Sequence, residues 1–260
     1  MAGILYLCAT PIGNLEDMTF RAIQILKEVD LIAAEDTRNS IKLLNHFEIR
    51  TPMTSYHEYN KIEKGRKLVE KLQEGLNIAL ITDAGTPGIS DPGEELVRMC
   101  KEAGITVTSL PGACACITAL TISGMPTRRF SFEAFLPAEK KERQQILKEI
   151  KEETRTIILY EAPHRLLKTL KELQEEFGEN RRITVCRELT KKHETTCSGS
   201  ISVSEFSIIR KIHLKENACL SWKEKAEKKW RKKKRRSGLL FLWKNIFNFI
   251  WIRELKEKKL

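Results

Sequence analysis

Residues 77–93 read NIALITDAGTPGISDPG. The opening run is short, apolar and bounded by turn formers, the pattern of a buried strand, here expected over 77–85. Behind it, residues 83–93 hold three glycines (Gly85, Gly88, Gly93), two prolines and two aspartates. Glycine lets a ligand or another segment approach the backbone closely, and proline stiffens the loop. The loop therefore suits a polar cofactor held by main-chain groups. A tight connection capping a helix at 94–103 accounts for the same residues equally well. Neither GxGxxG nor GxxxxGK[ST] is present, so the loop is not a dinucleotide fingerprint or a P-loop.

The same unit recurs on either side. ILYLCAT (4–10) reads as a buried strand ending at Pro11 and Gly13, and VDLIAAED (29–36) as a second. Between them, residues 18–28 have helical spacing, with Ala22, Ile25, Leu26 and Val29 on one face. An amphipathic helix at 61–74 closes at Gly75, and ITVTSLPG (105–112) is a strand running into a Pro-Gly turn and a small-residue helix. At Gly124-Met125-Pro126 the pattern breaks and restarts. A strand at 131–137, a charged helix at 138–153, a strand within 154–165, a helix at 165–177 and a strand at 181–189 follow. The expected class is α/β: two domains with mainly parallel sheet, over 1–122 and 126–205. In open parallel sheets ligands lie beyond the C-terminal strand ends. Those ends carry ATPIGN, AAEDTR, DAGTPGISDPG, LPGACA and YEAPHR.

Composition bounds the rest. The chain has 260 residues, 41% hydrophobic, which excludes a wholly disordered protein. No repeat of solenoid period is visible, no run is long enough to span a membrane, and the N-terminus lacks a signal-peptide layout. Seven cysteines, odd in number and mostly in apolar contexts, read as free thiols of a cytoplasmic protein. The net charge of +11 is unevenly spread. Residues 206–260 hold 18 Lys+Arg against 5 Asp+Glu and all four tryptophans, while 1–205 hold 28 against 30.

Several polar clusters sit at the strand ends. EDTR (35–38) places Glu35, Asp36 and Arg38 together; a helix N-terminus explains the acids as well. YHEYN (56–60) offers His57 and Glu58, and RELTKKHE (187–194) a basic turn that suits phosphate or plain solvent. Cys114 and Cys116 form a C-x-C without the partners of a zinc site and read as packing, so no metal site is expected. No Ser/His/Asp triad follows from spacing.

Taken in order, LYLCATPIGN, AAEDTRNS, TPMTSYHEYN, ALITDAGTPGISDPG, LPGACACITAL, SGMPTRRFSFEAFLP, ILYEAPHRL and VCRELTKKHE resemble the ribosomal RNA small subunit methyltransferase I family, a branch of the tetrapyrrole methylase superfamily. The resemblance runs from residue 3 to about residue 200. It implies a two-domain α/β homodimer with S-adenosylmethionine in the cleft between the domains. The implied reaction is 2′-O-methylation of the ribose of a decoding-centre cytidine in the 16S rRNA of the small ribosomal subunit. Carried over by motif, the cofactor contacts are Pro11 and Gly13; Asp83, Ala84, Gly85, Thr86, Pro87, Ser90 and Asp91; Pro111, Gly112 and Ala113; and Tyr160, Ala162 and Pro163 on the far wall. Arg38, Tyr56, Arg165, Arg187, Lys191 and Lys192 would face RNA. A 2′-hydroxyl needs alignment and a base, for which Glu35, Asp36 and His57 are the candidates. A methylase of a small tetrapyrrole-like substrate keeps the same fold; EDTR, YHEYN and RELTKK resemble the RNA branch instead.

Beyond about residue 202 the resemblance stops. HLKENACLSWKEK (213–225) can be encoded by codons that, shifted back by one base, give PPKGECLFIVEGK. WKNIFNFIWIRELKEKKL (243–260) likewise gives EKYIQFYMDQGIKRKEA. Both resemble the expected family C-terminus, in order. The reading is a frame change near 203–207, an aberrant tail over 206–260, and a second domain left incomplete. The rival reading is functional: KKWRKKKRR (228–236) for RNA and LLFLWKNIFNFIWI (239–252) for a membrane surface. An inactive or RNA-binding product of the altered frame is the third possibility.

Overall fold

A computed structural model describes residues 1–202 and, by backbone, the strand at 248–253. The rest of the tail, including the basic run and residues 213–225, lies outside the described residues.

Apart from a 3-10 helix at Leu15–Asp17, strands and α-helices alternate through the first half: β1 (Ile4–Cys8), α1 (Phe20–Glu28), β2 (Leu31–Ala34), α2 (Thr37–His46), β3 (Met53–Ser55), α3 (Lys61–Gln73), β4 (Ile78–Ile81), α4 (Gly93–Glu102), β5 (Thr106–Leu110) and α5 (Ala115–Ile122). The strands form one parallel sheet in the order β3-β2-β4-β1-β5. Successive side chains of a strand point to opposite faces. Accordingly Ile32, Ala34, Ala79 and Ile81 pack with Leu26 of α1 and Leu44 of α2. Ala33, Ile78 and Leu80 pack on the other face with Leu68 and Leu72 of α3 and Leu96 of α4. Covering on both faces is why these strands are unbroken apolar runs rather than alternating ones.

The second body contains β6 (Phe130–Phe135), α6 (Lys140–Lys151), β7 (Thr156–Glu161), α7 (Pro163–Phe177), β8 (Arg182–Arg187), β9 (Thr195–Ser200) and β10 (Asn248–Arg253). Its sheet runs β6-β7-β10-β8-β9. β6 and β7 are parallel; β10 is antiparallel to both its neighbours, and β9 to β8. Residues 248–253, within the stretch read as an aberrant tail, lie at the sheet's centre, where β-branched and aromatic types favour an extended chain. No helix among the described residues is long and apolar enough to cross a membrane.

A buried polar network closes the end of β7. Glu161 is 1% exposed; its carboxylate accepts from the Ala162 N–H (2.8 Å) and the Thr169 hydroxyl and stands 3.7 Å from the Arg143 guanidinium. Arg143, itself buried, also donates to Thr169 Oγ1 and Glu172 Oε2, each at 2.6 Å. Removing one partner of such a cluster strands the other charge out of water. Arg143→Ala is expected to lower stability by about 3–5 kcal/mol in urea denaturation. A loss of under about 1 kcal/mol, the usual worth of a surface pair, would mean that water reaches Glu161.

Candidate functional site

The loops after β1, β4 and β5 are laced together by main-chain contacts. Thr10 N–H donates to Gly85 O (2.9 Å) and Gly85 N–H to Thr10 O (3.0 Å). Thr86 Oγ1 donates to Ala113 O (2.9 Å), tying the second loop to the third. Gly112 sits where a Cβ would stand 2.6 Å from Ala9 Cβ, and Gly13 where one would stand 2.5 Å from Lys191 Cγ. The latter contact brings the turn after β8 against the loop after β1. Gly112→Val is therefore expected to cost about 1–3 kcal/mol, read as a lowered melting temperature. An unchanged melting temperature would show that the turn gives way freely.

Asp91 organises its own loop. Its carboxylate accepts from the N–H groups of Gly88 (2.9 Å), Ile89 (3.1 Å) and Gly93 (2.7 Å). Burial pushes its pKa up, and those three N–H groups hold it back. Gly88 at φ +83° and Ser90 at φ +64° take the left-handed backbone that this ring of contacts requires.

A cavity of about 220 Å³ lies between the two bodies. Residues 83–86 and Ser90 form one wall with Glu35; Phe135 and Tyr160 of the second sheet form the other. Tyr160 is buried, with its ring edge-on to Phe132 (4.9 Å) and Phe135 (5.4 Å). Among the described residues the lining includes the acidic Glu35, Asp83 and Asp91 and no Lys, Arg or His. Such a wall favours a cationic ligand. The volume lies below the roughly 300 Å³ at the low end of ligand sites, so it has room for only part of a ligand of ordinary size.

Of the cofactor contacts expected from the motifs, Asp83, Ala84, Gly85, Thr86, Ser90, Asp91 and Tyr160 line the cavity. Pro11, Gly13, Pro87, Pro111, Gly112 and Ala113 do not; several of them frame the loops that do. Ala162 caps α7 and Pro163 opens it, a position suited to its missing N–H. Six further residues line the cavity: Ile12, Thr82, Ile89, Cys114, Ala115 and Phe135. The first five lie within or beside the strand-end motifs and could have been found from them. Phe135 carries no sequence signal: Ala134 at φ +50° and a register shift between Phe132 and Phe135 turn it toward the cleft.

The three candidate bases separate. Glu35 is in the wall, with Oε2 3.4 Å from the Asp83 N–H. Asp36 caps α2, accepting from the Arg38 N–H (3.0 Å), and pairs with the Arg38 guanidinium (2.9 Å). His57 stands just past β3, outside the lining, with Nε2 3.2 Å from Asn60 Nδ2.

Two residues expected to face RNA have polar groups engaged within the protein. Tyr56 is 1% exposed and its hydroxyl donates to Pro92 O at 3.0 Å, so it fills core between β3 and α4. Arg165 donates to Leu136 O (3.1 Å) and approaches Glu161 (3.5 Å), so it ties α7 to β6. Arg38 keeps its side chain 83% exposed, and Lys192 is exposed. Lys191 pairs with Glu188 at 3.5 Å, and Arg187 ends β8.

Residues 4–203 match the family model described as tetrapyrrole (corrin/porphyrin) methylases. Over 202 residues the chain is 58% identical to a Synechocystis protein named ribosomal RNA small subunit methyltransferase I, covering 78% of this chain and 72% of that one. Proteins of the same name from Haemophilus influenzae and Bacillus subtilis are 56% and 55% identical, covering 71% and 68% of their lengths and 77% of this chain in each case. Among solved structures, a diphthine synthase superposes with a TM-score of 0.66 at 10% identity, covering 96% of this chain and 90% of its own. Uroporphyrin-III-C-methyltransferase from Thermus thermophilus does so at 0.58 and 15%, covering 96% and 94%. These two likenesses concern the fold.

Proposed function

Since the chain belongs to the tetrapyrrole methylases and, within them, to the ribosomal RNA small subunit methyltransferase I family, we propose that it methylates the ribose 2′-hydroxyl of a decoding-centre cytidine in 16S rRNA. S-adenosylmethionine is the methyl donor, supplying an electrophilic methyl group on a cationic sulfur. The observation that supports this reading is the cavity at the meeting of the strand-end loops, whose described lining includes Glu35, Asp83 and Asp91 and no Lys, Arg or His. A donor carrying a sulfonium and an ammonium group matches that lining in sign.

In this reading Glu35 accepts the proton of the 2′-hydroxyl, being the one candidate base in the cavity wall. The 83–86 backbone and Tyr160 orient the donor, and Asp91 keeps the loop in shape. Arg38, Arg187, Lys191 and Lys192 lie at strand-end loops and serve the phosphates of the RNA. The body of 1–205 is nearly neutral, so these basic loops, rather than net charge, would steer the substrate. The active unit is a homodimer in the cytoplasm acting on the small ribosomal subunit.

The test is single-turnover methylation with tritiated S-adenosylmethionine and unmodified small subunits. Label is expected on a cytidine ribose, in a dinucleotide resistant to alkaline hydrolysis. Label on a base, or on a porphyrinoid offered in competition, would overturn the assignment.

A further inference from the structure

Cys114 is the N-cap of α5, and Cys116 lies in its first turn. Their sulfurs are 3.4 Å apart. Cys114 is part of the cavity wall, whereas Cys116 is buried. The two thiols are polarised in opposite senses. Cys114 is pushed down in pKa, first by the hydrogen bond from Cys116 and then by the N–H groups at the start of α5. Cys116 is pushed up, by holding that proton and by burial. The buried thiols Cys8, Cys100 and Cys186 are all raised as well, to about 12, 11 and 12, by desolvation. The pair therefore sets an accessible nucleophilic sulfur beside a protonated partner. No third His, Cys, Asp or Glu joins them to make a metal site among the described residues.

We propose that Cys114 and Cys116 form a two-electron redox site in the cleft wall, which takes a hydroperoxide as oxidant and closes to a disulfide that prevents methyl-donor binding. The second half rests on the function proposed above. The Cys114 thiolate attacks one peroxide oxygen; the O–O bond breaks, and the other oxygen leaves with a proton as water or alcohol. The resulting sulfenic acid is attacked by Cys116 sulfur, the S–O bond breaks, and water leaves carrying the Cys116 proton. The dithiol loses two electrons and the peroxide gains them.

Closure draws the sulfurs from 3.4 Å to the about 2.05 Å of an S–S bond. Cys114 follows Ala113, whose carbonyl holds Thr86 at 2.9 Å. Cys114 O itself accepts from Thr118 N–H and Oγ1, each at 2.9 Å. Pulling Cys114 toward the helix therefore disturbs the seam between the second and third loops. A ring closed over a single intervening residue is strained, which makes the bond readily reducible.

The test uses the full chain and hydrogen peroxide, followed by denaturing alkylation and tryptic mass analysis. Peptide 102–128 contains Cys114 and Cys116 and no other cysteine. It is expected to become about 2 Da lighter, the two hydrogens lost, and to resist alkylation. Affinity for S-adenosylmethionine by calorimetry should fall at least about tenfold, and dithiothreitol should restore both readouts. With Cys116→Ser, peroxide should add oxygen to Cys114 without a cross-link. Alkylation of both cysteines after peroxide would overturn the redox site. A disulfide with unchanged affinity would overturn its action on the cleft. Failure of the reduced protein to bind S-adenosylmethionine would sink the donor assignment instead, and the redox site would then be judged by the peptide mass alone.

Discussion

A chain ending at Ser202 is expected to lose its second sheet while keeping the first. β10 lies between β7 and β8, in register with β7 along Asn248–Ile252 and with β8 along Asn248–Arg253. Without it, two strands that face each other across its place lose their ladder. All of β7 and residues 183–186 of β8 are buried, so the freed N–H and C=O groups have no water to turn to. Each such group costs about 1–3 kcal/mol, and a whole domain is stable by only about 5–15 kcal/mol. A few orphaned pairs exceed that margin. Hydrogen exchange should show β7, β8 and β9 unprotected and β1, β2 and β4 protected in the shortened chain. Full protection of β8 would mean that β7 and β8 can close on each other directly.

This slot also gives the frame-change proposal a physical test. The centre of the sheet demands one strand able to be covered on both faces, and something from the tail must supply it. The shifted string CLFIV is a continuous run of that kind, placed soon after β9 in sequence. NFIWIR reaches the same place only after a long basic stretch. A chain carrying PPKGECLFIVEGK in place of residues 213–225 is expected to melt higher than the present one. An equal or lower melting temperature, together with an intact mass from the source that matches all 260 residues, would make the tail genuine.

The first sheet was legible because burial on both faces writes itself into sequence as apolar runs ended by Gly and Pro. The elements that escaped are those whose apolar signal is weak. α2 (TRNSIKLLNH) buries only Ser40 and Leu44, and β3 and β9 are short or polar. The site was legible at the level of loops, because the glycines and Asp91 are demanded by backbone geometry local to each loop. It was not legible at the level of side-chain direction. Tyr56 and Arg165 sit in motif positions beside exposed residues, yet Tyr56 reaches Pro92 and Arg165 reaches Leu136, contacts set by which helix packs on which strand. Phe135 enters the cleft through a strand irregularity that no periodicity reports.

Glu35→Gln is expected to lower the methyl-transfer rate about 10²–10⁴-fold, the range for removal of a general base, while leaving the fold intact. The substitution keeps the size of the side chain and an acceptor oxygen for the Asp83 N–H. What it removes is the ability to take a proton beside the cavity. Single-turnover rates at saturating donor separate this from weaker binding, since only the chemical step then limits. Asp36→Ala should behave differently. It removes the cap of α2 and the partner of Arg38, so it should cost about 1 kcal/mol of stability and change the rate far less. His57→Ala should likewise spare the chemical step, since the ring stands outside the lining and is held by Asn60. The three variants thus discriminate by geometry: only the carboxylate in the wall reaches a hydroxyl presented to the cavity. A full rate with glutamine at position 35 and a lost one with alanine at 36 or 57 would move the base to EDTR's second acid or to the loop after β3, and the reacting ribose with it.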